Sequence, residues 1–162
     1  IQTDYGSIAG DRAGWGHFYT TNVSVKRAFA LAAGGFDEDL PFLYEDLDLA
    51  RRLHDLGLDL RYAREAEAEH LHPARLEDWR ARMEAVGRAE RAFAAKHPDF
   101  EPYFRRRLGA AAEGRRARGR GARLAALVSP STPFLGPLVW ASAESYFGQQ
   151  LWPAFLRGWE AG

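Results

Sequence analysis

Apolar positions along the chain fall at helical spacing in some stretches and are packed or alternating in others. Leu49, Leu53 and Leu56 recur at i, i+4 and i+7, while Arg51, Arg52 and Asp55 fall elsewhere, which predicts an amphipathic helix opening at Glu45 and Asp46. Leu76, Trp79, Met83, Val86 and Phe93 share one face of a longer, half-buried helix that ends near His97-Pro98. Trp140, Phe147, Leu151, Phe155 and Trp159 form a third apolar stripe. Tyr19 to Val25 is dense in β-branched and aromatic residues and reads as a buried strand, and Leu58 to Ala63 alternates like a second. Lys26 to Ala33 reads as a short helix stopped by Gly34-Gly35, and Gly57 as the C-cap of the helix after it. Residues 1–17, rich in Gly, Asp and Ser, read as loop.

Composition narrows the partners. The 162 residues are about one domain's worth, and 46% hydrophobic residues suffice for a core. With 22 basic and 22 acidic residues no global field draws the chain to nucleic acid, and no nucleic-acid partner is expected. Cysteine is absent, which excludes disulfides and thiolate metal sites and suits the cytoplasm. The N-terminal IQTDYGSIAG has neither the basic start nor the apolar run of a secretory signal. Met83 is the sole methionine and Ile1 comes first, so translation is expected to begin upstream and the chain to be a fragment.

The local exception to the balanced charge is Arg105 to Arg123, with eight arginines against one glutamate among Gly and Ala. It reads as a linker between residues 1–104 and an apolar, aromatic segment, 124–162. Leu124 to Ala143 carries no charge, but Pro130, Pro133 and Pro137 argue against a simple spanning helix. Basic run and aromatic stripe together would suit a peripheral anchor on an anionic membrane face; a solvated linker and a helix packed back on the domain is the alternative.

Three constellations are candidates for chemistry. Glu45 and Asp46 either cap the helix that they open or present a carboxylate that takes a proton from a hydroxyl. His70 and His72 flank Leu71 and in an extended segment lie on the same side, either to bind a divalent metal or as part of a solvated loop closed by Pro73. Asp37-Glu38-Asp39 and Asp46-Leu47-Asp48 have the form that holds Mg²⁺ or Mn²⁺ on a diphosphate, but neither follows an apolar strand. Phosphate loops, nucleophilic Ser or Cys constellations and zinc-finger spacings are absent.

FYTTNVSVKRAF, GGFDEDL, YEDLDLARRL, the Gly57 turn into LRYA, and EAEAEHLHP before a long helix occur in one order across about residues 15–98. In that order they resemble a family 2 glycosyltransferase. The resemblance implies an α/β fold: the acceptor-side half of the A-type glycosyltransferase (nucleotide-diphospho-sugar transferase) fold, a mixed, mainly parallel sheet with flanking helices, here followed by a helical C-terminal extension. It implies transfer of a sugar from a nucleotide-sugar donor to a hydroxyl acceptor with inversion. Asp46 matches the base, with Glu45 beside it. Trp15, Asn22, Gly35 and Phe36 match the acceptor pocket, and His70, with His72 as second candidate, matches the shell of a Mn²⁺ or Mg²⁺ ion.

The Gln-x-x-Arg-Trp string of processive members is missing, so a non-processive enzyme is expected. Nothing supplies the donor half, so the chain alone is expected to be inactive. Half a sheet would leave unpaired edges and favour a homo-oligomer. The competing function is a non-catalytic module that binds an anionic surface or a protein through the arginine run and the aromatic helix.

Overall fold

Both short helices of the N-terminal part end where the sequence places glycine. In the computed structural model, which describes residues 5–40, 43–69, 75–113, 120–128, 132 and 134–162, α1 spans Arg27–Ala32 and α2 spans Glu45–Asp55. After α1, Gly34 donates to the Leu31 carbonyl and Gly35 to that of Ala30. After α2, Gly57 donates to His54 and Leu58 to Leu53. These are two Schellman closures, with Gly34 at φ 87° and Gly57 at φ 89°, backbone settings that an L side chain strains to adopt.

The chain divides into two compact units, Ile1–Pro73 and Ala74–Gly162. In the first, Leu49, Ala50 and Leu53 of α2 pack against Phe18, and Trp15, Val23, Phe29, Ala33, Leu58 and Leu60 half-bury themselves around them. The stripe turns one step from its expected line: Ala50 is inside, whereas Leu56 lies past the helix end and is exposed. At about 100° per residue the inward positions are 46, 49, 50 and 53, so Asp46 is the first member of the buried stripe.

The expected sheet is not there. Among the described residues no strand forms, and the α/β reading, with its mainly parallel sheet and acceptor-side half of the A-type fold, is corrected to a helical architecture. Leu58 to Ala63 contributes an isolated antiparallel bridge between Arg12 and Arg61, with Ala13 donating to Leu60 and Tyr62 to Asp11. Tyr19 to Val25 is irregular and turns back at Asn22, whose amide donates to the Tyr19 carbonyl. β-branched and aromatic composition marks a segment that suits a half-buried pleated surface, but a strand exists only with a neighbour to pair with. Here Phe18 and Val23 meet helix α2 instead. The sheet edges on which pairing of two copies was expected are absent with the sheet.

The second unit is built from α3 (Leu76–Lys96), α4 (Tyr103–Glu113), α5 (Arg120–Ala125) and α6 (Leu135–Ala161). The arginine-rich stretch is helical from Arg105 through Glu113, where Leu108 is buried. α3 and α6 approach to backbone contact: a Cβ on Gly87 would meet the main chain of Phe155 and Trp159, and one on Gly158 the main chain of Glu84. Met83, Val86, Ala89 and Phe93 of α3 are buried, as are Leu151, Ala154 and Phe155 of α6. Phe155 stacks between Trp152 and Trp159, with ring centroids at 5.6 and 6.0 Å. The aromatic stripe of the C-terminal helix is therefore largely spent inside this unit.

Polar side chains fix the helices of this unit in register. Glu90 of α3, wholly buried, accepts from the amides of Phe104 (2.7 Å) and Arg105 (2.9 Å), so its carboxylate caps α4, whose first turn has free N–H groups and the positive end of the dipole. Arg107 of α4 holds Glu144 of α6 at 2.6 Å. No helix of the described residues is long and apolar enough to cross a membrane.

Candidate active site

Helix α2 organises the candidate site. Asp46 occupies a core position one turn before Leu49 and Ala50, so its carboxyl is half-buried against the segment that follows Phe18. Oδ2 faces the Thr20 amide at 3.4 Å and Oδ1 accepts from the Leu47 amide at 2.8 Å. Burial raises the pKa of Asp46 above the ordinary 3.8 and the charge of Glu45 adds to this, more than the Thr20 and Leu47 amides offset. A carboxylate with raised proton affinity is a better base than an ordinary aspartate.

The helix-cap alternative is answered in part. Tyr44 is the N-cap residue, and no side chain bonds the free amides from that position. Asp46 puts one oxygen on the helix amide of Leu47 and turns the other to Thr20. Glu45 does something different: Oε2 accepts from the Leu43 amide at 2.6 Å. Leu43 sits at φ 106°, a strained setting for a residue with a branched side chain, and the Glu45 carboxylate helps to hold it there.

The expected acceptor residues are scattered around this helix. Trp15, in a 3-10 turn from Trp15 to His17, is half-buried at the edge of the Phe18 core with the Arg51 guanidinium 5.5 Å over its ring. The Gly35 carbonyl accepts from Arg52 at 2.7 Å. Phe36 is exposed, and Asn22 spends its side-chain amide on the Ala66 carbonyl at 2.8 Å, tying the two segments together. The structure therefore brings Trp15 and Gly35 to the arginines of α2 and Asp46 to Thr20.

His70 and His72 lie outside the described residues. Among the described residues no group of three His, Asp or Glu side chains is placed to hold a cation. The two acidic strings have other duties. Asp37 accepts from the Asp39 amide at 3.0 Å in a local turn. Asp48 is wholly buried and paired with Arg52 at 2.8 Å. The described residues do not fit a metal centre.

The pairing of Asp48 with Arg52 is not among the sequence expectations, which place Asp48 only in an acidic string. Arg52 donates from Nε and Nη2 to Asp48, from Nη1 to the Ala33 carbonyl and from Nη2 to that of Gly35. The Asp-to-Arg spacing of i, i+4 was the available signal, but such pairs abound on solvated helices, and only burial distinguishes this one.

Part of the chain is similar to curated glycosyltransferases. Over 77 residues, 46% of its length, it is 39% identical to the uncharacterized glycosyltransferase YfnE of Bacillus subtilis (strain 168). Over 66 residues, 41% of its length, it is 42% identical to the pre-mycofactocin glycosyltransferase of Mycobacterium tuberculosis, in strains CDC 1551 / Oshkosh and ATCC 25618 / H37Rv. The chain spans only 20% of the first relative and 14% of the second. No family model matches the chain, and no solved structure does.

Proposed function

We propose that this chain is part of an inverting, non-processive family 2 glycosyltransferase, with Asp46 as the general base. The observation that carries the reading is the placement of Asp46 on the buried stripe of α2, where burial raises its proton affinity while Oδ2 stays turned to the Thr20 segment. The partial similarity to glycosyltransferases supports it. The Asp46 carboxylate takes the proton of the acceptor hydroxyl as that oxygen bonds to the anomeric carbon. The bond from that carbon to the donor phosphate breaks, and its electron pair leaves with the nucleoside diphosphate. In this reading the donor-binding residues are supplied from outside this chain.

In the protein that carries this chain, Asp46→Asn abolishes transfer from a panel of nucleotide sugars, leaves donor affinity within error of the parent and does not lower the unfolding midpoint. Retained turnover removes Asp46 from the role. The competing module reading needs a free aromatic helix, and Leu151 and Phe155 are buried within the second unit. What remains to that reading is the exposure of Leu124, Leu127, Phe134 and Trp140.

A further inference from the structure

We propose that Asp48 and Arg52 are positioning residues for Asp46: they lock the rotation of α2 about its axis against the Gly34–Gly35 turn and so keep the Asp46 carboxyl on the Thr20 segment. The inference rests on the reading of Asp46 as base. Asp48 and Arg52 stand one turn apart on α2, about 200° to 240° around the helix from Asp46, so a hold on their side fixes the direction in which Asp46 points. Every nitrogen of the guanidinium is engaged. Nε and Nη2 reach Asp48 at 2.9 and 2.8 Å, Nη2 also reaches the Gly35 carbonyl at 2.7 Å, and Nη1 reaches the Ala33 carbonyl.

The other side of the clamp needs such a hold. α1 is six residues long and buries no residue fully, so its own packing anchors the turn weakly. Gly34 and Gly35, at φ 87° and 70°, aim the carbonyls of Ala33 and Gly35 at one point, where a planar fork meets both and Asp48 together. Asp48 is wholly buried, and its charge is balanced by Arg52 at a distance that a lysine ammonium could match for one partner but not for all three. Opposite-sign charge and fork geometry thus join the turn to the helix that carries the base.

The test uses Arg52→Lys and Asp48→Asn, each read in two ways. In this chain, the Asp46 carboxyl is titrated by carbon-13 NMR; in the protein that carries it, kcat, KM and donor Kd are measured. Loosening the clamp lets the carboxyl swing toward water, so the Asp46 pKa falls back toward 3.8 in folded protein, and Arg52→Lys, which leaves every charge in place, is the decisive case. kcat drops by up to about a hundredfold with donor Kd unchanged. A purely stabilising pair would lower the unfolding midpoint and leave the Asp46 titration where it was, and that result overturns the inference. Arg52→Lys, which keeps the charge, covers the case in which Asp48→Asn fails to fold. The titration stands apart from the catalytic reading: active Asp46→Asn protein refutes the base, while an unmoved Asp46 pKa in folded clamp variants refutes the clamp.

Discussion

Asp46 shows how one residue acquires a chemical character from its place on a helix. It stands at the i−3 and i−4 position to Leu49 and Ala50, where an apolar residue would complete the stripe. Water is partly stripped from it, and Glu45 adds like charge. Its folded-state pKa is therefore above the unfolded one, so the folded state binds the proton more tightly. Protonated Asp46 contributes stability that is fully present below about pH 3.8, its ordinary pKa, and is lost as pH rises through the raised folded value. Asp46→Asn removes this dependence. Urea unfolding across that window should show parent stability falling with pH relative to the variant, and parallel curves would mean that burial does not perturb this carboxyl. The acidic pair was legible in the sequence because Glu45 and Asp46 open a periodic stretch; the clamp was not, since the burial of Asp48 follows from the Gly-Gly turn folding over it.

Elements were legible where their signals are local. Glycine closures at Gly34 and Gly57 and the periodic stretches of α2 and α3 depend on neighbours within a turn or two, and they form close to the expected places. The strand readings failed because pairing depends on a distant partner: LDLRYA finds one bridge, and YTTNVSV finds none among the described residues. Helix α4 was hidden by its arginines. Leu108 and the cap from Glu90 hold it, and the cap comes from another helix altogether. Close helix packing was also invisible, because an isolated glycine in a helical stretch usually counts against it. Gly158→Ala should destabilise the chain by about 3 kcal/mol, since the new methyl meets the Glu84 backbone rather than a side chain that can move. Gly121→Ala, where a Cβ meets nothing within 4 Å, should be neutral or stabilise by up to about 1 kcal/mol. Denaturant midpoints separate the two, and equal midpoints would refute the close α3–α6 crossing.

At the scale of the molecule, two helical units divide the labour. The first holds the acid, its Thr20 neighbour and the turn that braces them. The second is held by a glycine-mediated crossing and by two buried or half-buried carboxylates, Glu90 and Glu144, that tie α4 in place. The resemblance read from the motifs pointed to a glycosyltransferase, and the partial similarity to curated glycosyltransferases agrees at that level. The fold inferred from the same resemblance did not follow: a motif set constrains the few residues that do chemistry, while a sheet requires strands contributed by the rest of the chain. Likeness to glycosyltransferases was thus more legible than architecture. The proposed role of Asp46 is to take the proton of the acceptor hydroxyl. The pH dependence of kcat/KM, measured for the protein that carries this chain and for its Asp46→Asn variant, tests it most directly. The account predicts a parent rate that rises with pH through one ionisation above 3.8 and a variant with no measurable rate at any pH. A variant that keeps the parent's profile would contradict it.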